Sequence, residues 1–139
     1  MALFPSEEWI GLYRDLINGS AEYGEAGKTW VGDIAFVFEA EPDHGVAEDL
    51  VAWLDLRNGV CHGARMIDNS RSGEAEYEIR APYARWREVL MGDLDPVKGM
   101  MQGKLKVRGD LPNIVRHVRA ANELVHLTTL VPTEFMGAR

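Results

Sequence analysis

The chain has 139 residues, which is the size of one ordinary domain. Hydrophobic residues make up 46% of it and charged residues 27%, and these proportions exclude a disordered or fibrous chain. Acidic side chains number 22 against 15 basic ones, so the net charge is −7. Because nucleic-acid binding depends on neutralising phosphates, this charge argues against nucleic acid as a partner. We expect residues 1–139 to form a single domain.

The sequence predicts a cytoplasmic location. No apolar run approaches the about 20 residues that span a bilayer, and the first residues lack the basic and then apolar order of a secretory signal. The single cysteine, Cys61, allows no internal disulfide and suits a reducing compartment. Since the net charge disfavours standing attachment to anionic lipid, we expect membrane contact to be transient.

The first half of the chain predicts one helix and three strands. Residues 6–20 repeat apolar side chains at helical spacing and begin with a serine suited to the N-cap. Residues 34–38 alternate and predict a strand. The two apolar runs within residues 49–67 are separated by Asn58-Gly59, which tolerates positive φ and therefore favours a type I′ hairpin turn.

The second half mixes short helices with strands. Residues 75–81 alternate between small or apolar and charged side chains, so we expect a strand with one buried face. Two short helices are predicted to start at Pro82 and at Pro96, the second of them capped by Asp95. Residues 104–108 alternate between basic and apolar side chains and predict another half-buried strand.

A long final helix is predicted to follow Asp110, its N-cap, and residues 131–139 are expected to be loose. Because strands arrive in runs and helices are grouped, the order of elements predicts an α+β fold with helices on one face of a sheet. The apolar stripe of the final helix is predicted to contain Ile114, Val118, Ala121 and Val125.

Three segments together resemble the sterol carrier protein 2 domain family. The run Gln-Gly-Lys-Leu-Lys-Val-Arg-Gly-Asp at 102–110 is similar to the most recognisable stretch of that family. Gly-Asp-Leu-Asp-Pro at 92–96 and the hairpin sequence Trp-Leu-Asp-Leu-Arg-Asn-Gly at 53–59 also resemble family segments. The resemblance covers roughly residues 8–125.

The resemblance implies a five-stranded, mostly antiparallel sheet with helices packed on one face, enclosing a hydrophobic tunnel. Such domains bind fatty acids, fatty acyl-CoA, phospholipids or sterols unchanged, without a cofactor or metal. Unlike eukaryotic members, the chain ends in Phe135 to Arg139 without a Ser-Lys-Leu peroxisomal signal, which points to a bacterial or archaeal cytoplasm. Residues 122–130 extend the last helix or cap the tunnel.

The candidate lining of the tunnel comes from several elements. Strand and helix periodicity places six apolar side chains inward, two methionines offer flexible apolar contacts, and one glutamine could bind a head group. The alternative is that each of these residues belongs to an ordinary core. The candidates are Phe36, Phe38, Met100, Met101, Gln102, Leu105, Val107, Ile114 and Val118.

The sheet order of the family also implies a pairing of charges. Three glutamates on one strand face would repel one another unless basic side chains oppose them. We therefore predict that the 75–81 and 104–108 strands are neighbours. The acidic set is Glu74, Glu76 and Glu78, and the basic set is Lys104, Lys106 and Arg108.

No catalytic constellation is found, so we expect a protein that is not an enzyme. Cys61 and His62 are adjacent on a strand, and their side chains should point to opposite faces. Asp93 and Asp95 lie where a turn and a helix cap are expected. Motifs for phosphate binding, dinucleotide binding and nucleophilic serine are all missing from the sequence.

A second hypothesis is a non-catalytic accessory subunit of an enzyme that metabolises lipids or acyl-CoA. Four tryptophans and six methionines could fill the tunnel with the protein's own side chains. An exposed apolar patch around Leu124, Leu127 and Leu130 would favour such an enzyme partner.

Overall fold

The computed structural model of the protein describes residues 1–137. Over that range it combines two sheets with six helices, which confirms the predicted α+β class. The strands are β1 (Ala2–Phe4), β2 (Val31–Glu39), β3 (Leu50–Arg57), β4 (Val60–Ile67), β5 (Tyr77–Pro82), β6 (Lys106–Arg108) and β7 (Thr133–Phe135). The helices are α1 (Glu7–Asn18), α2 (Ala21–Ala26), α3 (Tyr83–Leu90), α4 (Pro96–Met101), α5 (Leu111–Arg116) and α6 (Val118–Thr128).

The main sheet has five strands in the order β4-β3-β2-β5-β6. Its neighbours are antiparallel except for β2 and β5, which are parallel. Since side chains alternate along a strand, Ile34 and Phe38 face the helices while Ala35 and Val37 face the opposite side. A short 3-10 helix at residues 69–74 contacts that opposite side, and the six α-helices cover the other face.

Two local predictions from the first half are confirmed. The Ser6 hydroxyl accepts a hydrogen bond from the Trp9 amide at 3.1 Å and caps α1. Asn58 and Gly59 have φ values of 55° and 81°, as a type I′ turn requires. The Asn58 amide also donates to the carbonyl of Trp30 at 2.8 Å, which ties the hairpin tip to the start of β2.

The predicted neighbours β5 and β6 are confirmed as an antiparallel pair. Glu78 lies opposite Arg108, with 3.8 Å between Glu78 Oε2 and Arg108 Nε. The rest of the pairing differs, because Glu74 lies in the preceding turn and binds Arg71 at 3.1 Å. The regular strand begins only at Lys106, so β6 is shorter than the predicted 104–108 strand.

The prediction of a single long final helix is wrong, because His117 separates α5 from α6. Its φ of −109° and ψ of 37° leave the helical region. The His117 ring packs edge-on against Trp30 at 5.2 Å, and its Nε2 lies 3.0 Å from Thr29 Oγ1. Ala120 and the leucines at 124 and 127 are buried, whereas Val118 of the predicted stripe is 39% exposed.

The expectation of a loose C-terminal tail is also wrong for the part that the structure describes. Strand β7 pairs in parallel with β1, with Ala2 opposite Thr133 and Phe4 opposite Phe135. Val131 is buried, and the Ala2 amide donates to the carbonyl of Pro132 at 2.9 Å. The tail is ordered because it supplies hydrogen-bond partners to β1, which lies outside the main sheet. The last two positions, 138 and 139, lie outside the described residues.

Within residues 1–137, no helix is both long and apolar enough to cross a membrane.

Candidate functional site

An apolar cavity of about 80 Å³ lies between the helices and the covered face of the main sheet. Strands β2, β3 and β5 form its floor, and all six helices contribute side chains to its walls. Eight of the twelve aromatic residues among Phe, Tyr and Trp line it. These eight are Phe4, Trp9, Tyr13, Tyr23, Trp30, Phe36, Phe38 and Trp86.

The aromatic rings at one end of the cavity contact one another closely. Phe38 lies 5.0 Å from Phe4 and 5.1 Å from Trp86, measured between ring centroids. Phe36 lies 5.4 Å from the same Trp86 ring, and all three contacts are edge-on. Such contacts stabilise aromatic pairs beyond their burial, so packed rings form this end of the wall.

The indole nitrogens of the wall and the Tyr13 hydroxyl are hydrogen-bonded within the protein. The Tyr13 hydroxyl donates to the carbonyl of Leu124 at 2.8 Å, and Trp86 Nε1 donates to the carbonyl of Val37 at 2.9 Å. Burial raises the pKa of Tyr13 well above its ordinary value and that of Tyr23 to about 12. Both phenols therefore stay neutral, and the walls offer apolar surface to a ligand.

The structure brings only part of the predicted lining to the cavity. Residues of β2, α4 and α5 reach its walls as the periodicity of those elements predicts, although ligand contact by them stays a prediction. The four residues in the walls are Phe36, Phe38, Met100 and Ile114.

The other predicted residues of the α4 end lie elsewhere. Successive residues of a helix are about 100° apart, so Met100 and Met101 cannot both face the cavity. Met101 is 68% exposed, and Gln102 lines a separate depression at the edge of the main sheet.

Three further candidates are also outside the cavity walls. Leu105 is fully buried in the core beside Gly99, and Val107 packs against the edge of that core. Val118, the first residue of α6, is 39% exposed. The positions of Leu105 and Val107 agree with the alternative interpretation, in which these residues belong to an ordinary core.

Sequence reasoning missed much of the wall. Trp9 and Tyr13 are four residues apart on one face of α1, a spacing that could have identified them. Trp30 precedes the strand and gave no periodic signal. In the C-terminal extension, Leu124 and Val125 lie in the wall, so the predicted capping of the cavity by this segment has a structural basis.

The groups considered for catalysis occupy structural positions. Cys61 is 3% exposed whereas its neighbour His62 is exposed, and burial raises the pKa of the Cys61 thiol to about 11. Asp95 accepts a hydrogen bond from the Lys98 amide at 3.0 Å, which confirms its role as a cap. The site as described offers binding of apolar groups.

The exposed patch that would have favoured a protein partner is not formed. Leu124 and Leu127 lie on the buried face of α6, and of the three leucines only Leu130 is exposed, at 52%. The leucines at 124 and 127 therefore contribute to the core.

Two solved structures of similar sequence share this fold over almost the whole chain. A crystal structure of sterol carrier protein 2 superimposes with a TM-score of 0.84 at 33% identity, covering 91% of this chain and 97% of the other. A solution structure from Thermus thermophilus, described as possibly a sterol carrier protein, gives a TM-score of 0.84 at 31% identity, covering 96% and 92%.

More distant structures share the fold alone. The ubiquinone synthesis protein UbiJ-SCP2 has 13% identity and a TM-score of 0.53, with 94% of this chain and 95% of the other covered. No curated protein matches the chain in sequence. The model of the SCP-2 sterol transfer family matches residues 16–119. This protein therefore belongs to the SCP-2 sterol transfer family.

Proposed function

We propose that this protein binds a hydrophobic ligand in the apolar cavity and carries or presents it without chemical change. The ligand class is a fatty acid, fatty acyl-CoA, phospholipid or sterol-like lipid. The observation that carries the proposal is a cavity with apolar walls in a member of this family. The proposal includes a cytoplasmic, non-enzymatic protein of one domain over residues 1–139, with transient membrane contact.

The size of the cavity implies that its walls move when a long chain binds. An engineered cavity of about 150 Å³ binds benzene, whereas this one measures about 80 Å³. Met100 is a flexible side chain in the wall. Helix α4 is only six residues long, and it lies between Gly92 and Gly103, which both have positive φ. We therefore expect the cavity to widen on the side formed by α4.

The energetics of chain burial allow such an opening. Each buried CH₂ contributes about 0.8 kcal/mol, so a chain that buries about 12 of them gains roughly 10 kcal/mol. Association costs of about 4 kcal/mol leave about 6 kcal/mol, which corresponds to a Kd of roughly tens of micromolar. No charged group is required for that affinity.

A second candidate function is an accessory subunit of a lipid- or acyl-CoA-metabolising enzyme. It is favoured by the edge-on contacts among Phe4, Phe38 and Trp86, which already occupy one end of the cavity. A ubiquinone synthesis protein shares the fold. In this alternative the remaining space stays closed and the outer surface makes the contact.

Native mass spectrometry of the purified protein, followed by extraction of whatever is bound, distinguishes the two. We expect a stoichiometric fatty acid, acyl-CoA or phospholipid, recovered unchanged. Ala121→Phe places a ring in the cavity wall and should remove the bound mass, whereas Ala21→Phe on the exposed side of α2 should leave it.

The result that would count against the carrier function is a wild-type protein whose native mass is that of the chain alone, with no bound ligand. If long-chain fatty acid and acyl-CoA at roughly tens of micromolar also fail to bind, the carrier function is wrong and the accessory function stands.

A further inference from the structure

A second depression, which we call the basic cleft, lies at the edge of the main sheet beside β6. It measures about 270 Å³ and is lined by the β5–α3 junction on one side and by the chain around residues 102–106 on the other. A void needs about 10–15 Å³ to hold one water molecule, so the basic cleft admits a group larger than a single small ion. Its charged and amide side chains are Glu39, Arg80, Arg85, Gln102, Lys104 and Lys106.

The basic cleft concentrates positive charge in a protein of net charge −7. Four cationic side chains face one carboxylate on its walls. Arg80 is held by carboxylates, with Glu39 at 3.3 Å and Glu78 at 3.6 Å, and Arg85 lies 3.5 Å from Glu88. Acidic partners thus surround the arginines.

The two lysines differ from the arginines. Within residues 1–137, neither Lys104 nor Lys106 lies within ion-pair distance of a carboxylate. Both side chains are exposed, so their ammonium groups are available to a ligand. The uncompensated charge of the basic cleft therefore belongs to this pair.

The fold fixes the direction of the lysines. Gly103, with φ of 75°, turns the chain out of α4, and Leu105 is then 1% exposed in the core. Leu105 is buried between two exposed neighbours, and Lys104 and Lys106 both line the basic cleft.

The pairing of β5 with β6 also brings like charges together. Lys106 lies opposite Arg80 in the register of the two strands. The Arg80 guanidinium is already paired with Glu39, Glu78 and Asp49, so the charge left uncompensated in this pair is that of Lys106. The free lysine pair and the volume of the basic cleft are the observations that point to an anionic ligand.

We propose that the basic cleft binds a phosphate or diphosphate group. Lysine binds such groups as a point charge, and the two ammonium groups would approach separate oxygens while Gln102 donates its amide hydrogens. The group could belong to a soluble phosphate compound or to the head group of a lipid. The site is distinct from the apolar cavity and does not depend on the proposed carrier function.

The first probe is inorganic pyrophosphate, which has no apolar chain. Amide resonances of residues 102–108 should shift and saturate during titration followed by NMR, with sodium chloride of equal ionic strength as the blank. The double variant K104Q/K106Q should bind at least about tenfold more weakly, because it removes both charge-assisted contacts. The matched double variant K28Q/K98Q, which removes the other two lysines, should bind as the wild type does.

Two results would overturn the site. One is no saturable shift with pyrophosphate up to about 10 mM, which is well above a millimolar Kd. The other is an equal weakening of pyrophosphate binding in the two double variants, which would show that binding depends only on net charge. An unchanged melting temperature of K104Q/K106Q without pyrophosphate shows that its fold is intact.

A second probe identifies the source of the phosphate. Dodecyl phosphate should displace pyrophosphate and bind more tightly than inorganic phosphate if the source is a lipid head group. If it binds no more tightly than inorganic phosphate, the source is a soluble compound. Both results retain the site, and loss of pyrophosphate binding would not affect lipid binding in the cavity.

Discussion

At the tip of the β3–β4 hairpin, Gly59 has both a conformation and a position that other residues do not tolerate. Its φ of 81° lies in the left-handed region. A Cβ at this position would lie 2.5 Å from the carbonyl oxygen of Gly24 and 3.0 Å from its Cα. The close approach lets the hairpin pack on α2, so a local turn signal also serves a tertiary contact.

Gly59→Ala should therefore lower the free energy of unfolding by about 2 kcal/mol or more, since strain and backbone overlap add. Gly11→Ala is the matched change, because apart from its chain neighbours and the backbone of α1 no atom lies within 4 Å of its Cβ position. That variant should be more stable by about 0.5–1 kcal/mol. Urea unfolding of both variants measures the difference, and equal effects would contradict the role of the Gly24 contact.

At the scale of elements, β7 links the end of the chain to β1 and to the wall of the cavity. Trp9 Nε1 donates to Thr133 Oγ1 at 2.9 Å, and the Tyr83 hydroxyl donates to the carbonyl of Phe4 at 2.7 Å. Since Phe4 and Trp9 both line the cavity, β7 stabilises one end of the site.

Thr133→Val keeps the shape of the side chain but removes the acceptor of the Trp9 indole. Trp9 is 3% exposed, so an unpaired N–H there should lower the free energy of unfolding by about 1–3 kcal/mol. Thr129→Val is the control, because its hydroxyl bonds only to the exposed carbonyl of His126 and should change stability by about 0.5 kcal/mol or less. Similar losses in denaturant unfolding of the two variants would show that the Trp9 bond does not stabilise the fold.

At the scale of the whole molecule, the core holds neutral groups that ionise in alkali. Burial raises the pKa of Cys61 from 9.0 to about 11, and it raises the pKa of Tyr23 to about 12. The unfolded chain loses these protons at the ordinary values, before the folded state does. The stability that comes from keeping the Cys61 thiol neutral is therefore fully present below pH 9 and is lost as pH rises through 11.

We expect the free energy of unfolding to fall from pH 9 upwards, with Cys61 contributing at most about 1.4 kcal/mol per pH unit between pH 9 and 11. Cys61→Ala should lower the free energy of unfolding at every pH through lost packing. Its decrease between pH 9 and 11 should, however, be less steep than in the wild type. Denaturant unfolding at several pH values measures the slope. A slope unchanged in Cys61→Ala would mean that the thiol ionises equally in both states.

Local features of the fold were predictable because they depend on neighbours in sequence. The caps at Ser6, Asp95 and Asp110 are each made within three residues, and the Asn58-Gly59 turn requires only two φ values. The β5–β6 pairing came from the family resemblance. The candidate site was predictable only where the periodicity of single elements placed side chains such as Phe36 and Phe38 inward.

The sequence by itself determined the class of fold, the family and the apolar character of the site, since periodicity and turn chemistry act over a few residues. Only the tertiary structure decided the break at His117, the pairing of β7 with β1 and the walls of the cavity. Those features depend on contacts between distant residues, such as His117 with Trp30 and Trp9 with Thr133. The helical periodicity of residues 110–130 is the same with or without a break, so the partner across the core set which face is buried.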